Sequence, residues 1–195
     1  MGNFFDKEYK NGKLLYGSKP NSIIIELLNH IQKGKVLDLG CGYGRNALFL
    51  AQKGFDIECV DNSEEALKLF SKLKNKKMDN VVFTNKNVAD FKFKEKYDII
   101  LSINLFQFLK LEQIKKLIDD MKAHTEINGF NVISAFTEDN QFKNFGYLFR
   151  KGELKRLYSD WNILDYSEYI TEREKHGVGK LHRHGVVRLI AQKIK

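Results

Sequence analysis

The run Val36-Leu37-Asp38-Leu39-Gly40-Cys41-Gly42-Tyr43-Gly44-Arg45-Asn46 constrains this chain more than any other segment. An apolar strand, a turn with three glycines and the start of a helix follow one another without a spacer. Glycine accepts left-handed backbone and lets a ligand come close to the main chain. Strand, glycine turn and helix in that order open a doubly wound α/β sheet. Such a sheet binds its ligands at the carboxyl edge of its strands.

The rest of the chain keeps the alternation. Ile24, Ile25, Leu27, Leu28 and Ile31 form a helical stripe that predicts a helix over Asn21–Gln32. The turn leads into a helix from about Arg45 to Lys53, which Gly54 ends. A second strand is read at Phe55–Val60, and Ser63 caps a helix running to about Lys74. Further strands are expected at Val81–Thr84, Tyr97–Ile103 and Gly129–Phe136, with helices at Leu111–His124 and Lys151–Ser159. Two late strands, about Trp161–Ile170 and Val186–Ile194, have no helix between them. A parallel pair needs a crossover, usually helical, so the last strand is expected to be antiparallel. The reading is one domain over 1–195: an N-terminal arm and helix over 1–34, then a sheet core with helices on both faces over 35–195. The polar, charged opening MGNFFDKEYK reads as a surface arm and not as a secretory signal.

The ligand of the turn follows from its charges. A dinucleotide fingerprint is G-x-G-x-x-G, whereas Gly40, Gly42 and Gly44 are spaced G-x-G-x-G. Asp38 stands two residues before the first glycine. A carboxylate there repels a pyrophosphate and attracts an ammonium or a sulfonium. S-adenosylmethionine (SAM) carries both. Asp61 ends the second strand, 21 residues after Gly40, where an acid can accept from both ribose hydroxyls.

The order VLDLGCGYGRNALFLAQKGFDIECVDNSEEAL resembles the first two motifs of class I SAM-dependent methyltransferases. The GRNALFLA extension, the upstream LLYGSKPN and the ending HRHGVVRLIAQKIK are similar to the tellurite-resistance, TehB-like branch, which acts on small nucleophiles. That resemblance covers about Phe4 to Lys193. It implies a Rossmann-like seven-stranded sheet of order 3-2-1-4-5-7-6 with strand 7 antiparallel. It implies SAM as cofactor and S-adenosylhomocysteine as product. Carried over, Asp38 would meet the methionyl amine side. Gly40 and Gly42 would lie along methionine and ribose, with Cys41 between them. Asp61 would hold the ribose hydroxyls and Asn62 the adenine edge. Asn87, followed by Val88, stands where the family shows an acid toward the adenine amino group. Ser102 and Ile103 would flank the methionine. Tyr16 and Arg45 would close over it, Arg45 at the carboxylate.

The acceptor side is read from late loops. His176, His182 and His184 are three of the five histidines. Topology puts the loop between strands 6 and 7 at the carboxyl edge. In the tellurite-resistance family a His-Arg pair in this loop handles substrate, and His182-Arg183 match it. Arg183 suits an oxyanion, and a histidine titrates near neutrality. If His182 already belongs to strand 7, His182 and His184 share a face and Arg183 points away. A metal site is weighed and not adopted, for want of a companion ligand. Phe106, after strand 4, is a candidate pocket wall.

Net charge is +8, yet only six of the 33 basic residues are arginines. Phosphate readers favour arginine, so the lysines read as solvating, and the expected acceptor is a small molecule. The place after strand 4 reads Ser102-Ile103-Asn104-Leu105-Phe106, without the Pro-Pro-aromatic motif of nucleic-acid amine methyltransferases. An RNA ribose or oxygen methyltransferase and a SAM-binding regulator without chemistry stand as alternatives. Two cysteines make no disulfide framework, and no apolar run reaches membrane-spanning length. A cytoplasmic enzyme is expected, its oligomeric state open.

Overall fold

The computed structural model describes residues 2–75, 78–174 and 181–195, with side chains from Phe5 onward. Seven strands run in the order β3-β2-β1-β4-β5-β7-β6, with β7 antiparallel to both its neighbours. This is the expected fold. Contacts divide the chain into two units, the first ending at Lys92 and the second beginning at Phe93.

The first unit contains α1 (Gly2–Lys10), α2 (Ser22–Leu27), β1 (Lys35–Leu39), α3 (Arg45–Gln52), β2 (Asp56–Asp61), α4 (Glu64–Leu73) and β3 (Val81–Asn85). Val36, Leu37 and Leu39 on β1 are fully buried. With Asp38 also buried, four consecutive positions are covered, which marks a parallel strand enclosed on both faces. β1 pairs parallel with β2, Leu37 opposite Glu58, and β2 pairs parallel with β3. Ser63 caps α4 by accepting the Ala66 N–H at 3.0 Å, and Glu64 and Glu65 suit the dipole of its first turn.

Two expectations are corrected here. The opening residues are not a bare surface arm: they form α1, whose Tyr9 is buried with Tyr43, Ala66 and Leu69. Helix α2 stops at Leu27, short of Gln32. The next amides, of Leu28, Asn29 and His30, bond three residues back and tighten the chain out of α-geometry. Ile23 and Ile24 are buried while Ile25 is exposed, so the stripe lies one residue off the expected one.

The second unit contains β4 (Tyr97–Ile103), α5 (Leu111–Ala123), β5 (Thr125–Phe136), α6 (Glu153–Leu157), β6 (Asn162–Ile170) and β7 (Gly185–Gln192). Strand β5 begins four residues earlier than expected because the β4–β5 ladder contains a bulge. Gly129 sits in it, and a Cβ there would stand 2.8 Å from the Asp98 carbonyl oxygen. A buried polar chain lies behind: Tyr158 donates to Asn131, and Asn131 donates to Thr125.

Candidate functional site

The glycine turn of the first unit needs its glycines. Gly40, Gly42 and Gly44 have φ of 70°, 56° and 78°, left-handed values that side chains rarely take. A Cβ on Gly42 would stand 2.9 Å from the Tyr9 hydroxyl, and one on Gly44 would stand 2.5 Å from Phe70 Cδ2. The Val60 carbonyl holds the turn to β2 by accepting from the Gly40 and Cys41 amides at 2.8 and 3.2 Å.

Asp61 completes that attachment. Its Oδ2 accepts the Gly42 N–H at 2.8 Å, and its Oδ1 accepts the Ser63 N–H at 3.0 Å. Burial raises its carboxyl above the usual range, opposed by the N–H groups of Ser63, Gly42 and Asn62. Asp38 is 1% exposed, and among the described residues its Oδ2 has no hydrogen-bond partner. Burial, then the neighbouring Asp61 charge, push its pKa up to about 7, and Arg45 opposes them. Burial and contact with Cys59 hold the Cys41 thiol well above its ordinary value, so it is no ready nucleophile.

Arg45 turns to the N-terminal segment. Its Nη1 donates to the Tyr16 carbonyl at 2.7 Å, and its guanidinium lies 5.3 Å over the Tyr16 ring. Tyr43 ties the same segment down, accepting from the Tyr16 amide and donating to the Gly17 carbonyl. Asn62 is exposed. Asn87, also exposed, accepts the Ala89 N–H at 3.0 Å and caps a 3-10 turn in which Val88 is buried.

Sequence reasoning missed Tyr9 and Asp6. Asp6 accepts from the Ser63 hydroxyl at 2.5 Å, and Tyr9 covers Gly42. The signal available was the Phe5–Tyr9 spacing of four, which puts both rings on one helix face.

In the second unit, Ser102 is fully buried, and its Oγ has no partner among the described residues. Ile103 follows it, and then Asn104 at φ 55°. Phe106 is fully buried, its ring 5.8 Å from that of Phe149. It packs in the core of the second unit. Gln107, also missed, donates to the Asn104 carbonyl while its buried Oε1 has no partner among the described residues.

His182 and His184 come together just before β7. Backbone pairing of His182 with Glu174 extends the antiparallel ladder upstream. Alternation then turns both histidines inward and Arg183 outward: the histidines are buried and Arg183 is exposed. The two Nε2 atoms lie 3.0 Å apart. His184 Nδ1 is 3.0 Å from Asn140 Nδ2, and its ring stacks on Phe136 at 4.4 Å. Glu174 Oε1 is 3.9 Å from His184 Nε2. His176 lies outside the described residues. Among the described residues no three His, Cys, Asp or Glu side chains form a metal-holding group, and no helix is long and apolar enough to cross a membrane.

The family model described as tellurite resistance protein TehB matches residues 2–184. The chain belongs to the TehB family. A curated TehB relative, the probable S-adenosyl-L-methionine-dependent methyltransferase TehB of Haemophilus influenzae, is 33% identical over 175 residues, covering 88% of this chain and 59% of that protein. The crystal structure of TehB from Haemophilus influenzae superposes with a TM-score of 0.81 at 32% identity, covering 89% of this chain and 62% of that one. This chain thus spans about three fifths of the TehB relatives it matches. The N-methyltransferase NodS from Bradyrhizobium japonicum, solved with S-adenosyl-L-homocysteine, shares the fold at a TM-score of 0.71 and 13% identity, over 89% of this chain and 85% of its own.

Proposed function

We propose that this chain is a SAM-dependent methyltransferase whose acceptor is a small soft nucleophile or oxyanion of the tellurite, selenite or thiol type. The carrying observation is the buried Asp38 oxygen without a partner. A buried carboxylate is costly until a cation or donor meets it. SAM brings an ammonium and a sulfonium, whereas a nucleotide pyrophosphate would be repelled. The acceptor oxygens of Asp61 suit the same ligand. A carboxylate offers about four lone-pair directions, so the Gly42 and Ser63 amides leave room for the ribose hydroxyls. The name of the Haemophilus influenzae relative supports the reading.

The proposed roles follow the resemblance to the family. Asp38 meets the amine side, and Gly40, Cys41 and Gly42 let the ligand lie against backbone. Asn62, Asn87 and Val88 serve the adenine end, while Ser102 and Ile103 serve the methionine end. Tyr9, Tyr16 and Arg45 hold the N-terminal segment over the glycine turn and exclude water. When bound, SAM supplies a methyl group already activated on a sulfonium. His182 and His184 orient the acceptor and manage its proton, and exposed Arg183 attracts an anion from solvent. His176 belongs to the same proposed acceptor group by sequence.

Two measurements test the reading. Calorimetry with SAM should show binding that Asp38→Asn weakens. A screen for S-adenosylhomocysteine release over tellurite, selenite, small thiols, halides and RNA should respond to the small acceptors. Absence of SAM binding sinks the proposal, and turnover with RNA alone replaces its acceptor.

A further inference from the structure

Asn140 is 1% exposed and makes two hydrogen bonds that together fix its orientation. Its Oδ1 accepts the Phe142 backbone N–H at 2.9 Å. A backbone amide can only donate, so the amide cannot be flipped, and the Nδ2 group faces His184 Nδ1 at 3.0 Å. An NH2 group has no lone pair to offer there. His184 Nδ1 must therefore be the acceptor, which puts the proton of neutral His184 on Nε2. That N–H points at His182 Nε2, 3.0 Å away. His182 Nε2 is then an acceptor in turn, and its own proton sits on Nδ1.

We infer that Asn140 is a positioning residue that imposes one tautomer on each ring of the His182–His184 pair, so that every donor runs from Asn140 through His184 toward His182 Nδ1–H. In this arrangement His182 Nδ1 is a hydrogen-bond donor and not an acceptor. An additional proton would have to enter at His184 Nδ1, against the Asn140 NH2, or between the two Nε2 atoms, breaking their bond. Glu174 Oε1 lies 3.9 Å from His184 Nε2, on the side where this tautomer places the N–H. The same polarity disfavours a metal ion on His184 Nε2, because neutral imidazole ligating through Nε2 carries its proton on Nδ1.

Nitrogen-15 NMR of the histidine rings at neutral pH reads this directly. The wild-type protein should show His184 with a bare Nδ1 and a protonated Nε2, and His182 with the reverse. Asn140→Asp retains an oxygen for the Phe142 amide but replaces the donor by an acceptor. It should exchange the two ring-nitrogen shifts of His184. A protonated His184 Nδ1 in the wild type overturns the inference, as does an identical pattern in Asn140→Asp. Should that variant not fold, the wild-type spectrum decides alone. The effect on catalysis rests on the methyltransferase reading: kcat in Asn140→Asp should fall by about tenfold or more with SAM affinity unchanged. The ring-nitrogen pattern needs no turnover, so failure of one reading does not hide failure of the other.

Discussion

The Asp61 carboxylate accepts the Gly42 N–H at 2.8 Å and so ties the end of β2 to the middle of the glycine turn. Through its other oxygen it also receives the Ser63 N–H, the residue that caps α4. One side chain therefore positions both the proposed ligand backbone and the next helix. Asp61→Ala should weaken SAM binding by about 1–3 kcal/mol, since a charged acceptor for ribose is lost and two amides lose their partner. Calorimetry checks this, and unchanged affinity would remove Asp61 from the cofactor site.

Asp38 gives a pH dependence with a defined sign. Its pKa is about 7 in the folded chain, against an ordinary value of 3.8. The folded chain holds this proton more tightly than the unfolded one. The resulting stabilisation is complete below about pH 4 and is lost as pH rises to about 7. Binding of a cation needs the ionised form, so SAM affinity should rise with pH and level off above about 7. Below that point it should change by up to about tenfold per pH unit. Asp38→Asn should flatten the profile measured by calorimetry, and a flat wild-type profile would count against the assignment.

Gly44 tests the packing of the turn. An added methyl group meets Phe70 at 2.5 Å on a backbone with φ of 78°. Gly44→Ala should destabilise the chain by about 2–4 kcal/mol in urea unfolding. Combined with Phe70→Leu, the two losses should sum to less than their separate values, because the pair is in contact. Full additivity would show that the clash is relieved elsewhere.

Arg183 is exposed, so its effect should be one of attraction. With an anionic acceptor, Arg183→Ala should lower kcat/KM at low salt, and the difference should shrink as salt is added. SAM affinity should stay as in the wild type. A salt-independent loss of kcat would instead place Arg183 in contact with the reacting groups.

The parts legible in the sequence are those whose partners are neighbours in the chain. The strand, glycine turn and helix around Gly40 are contiguous, and Asp61 is legible because β2 follows at a regular spacing. The antiparallel β7 was readable from the missing crossover helix. Helix α1 was not, because only its packing on α4 makes nine mostly polar residues helical. Asn140 was invisible for a similar reason. It is 44 residues from His184, and only the return of β7 alongside β5 brings the two segments together.

By itself, then, the sequence determined the local conformations: where glycine must stand, where a helix is capped, and which strands are buried on both faces. Those follow from backbone sterics and from periodicities that need no distant partner. Tertiary structure decided which way the late residues face. Backbone pairing of His182 with Glu174 sets the alternation that buries His182 and His184 and leaves Arg183 in solvent. It also decided their protonation, since hydrogen-bond polarity is set by the group across the contact and not by the residue's own neighbours in the chain.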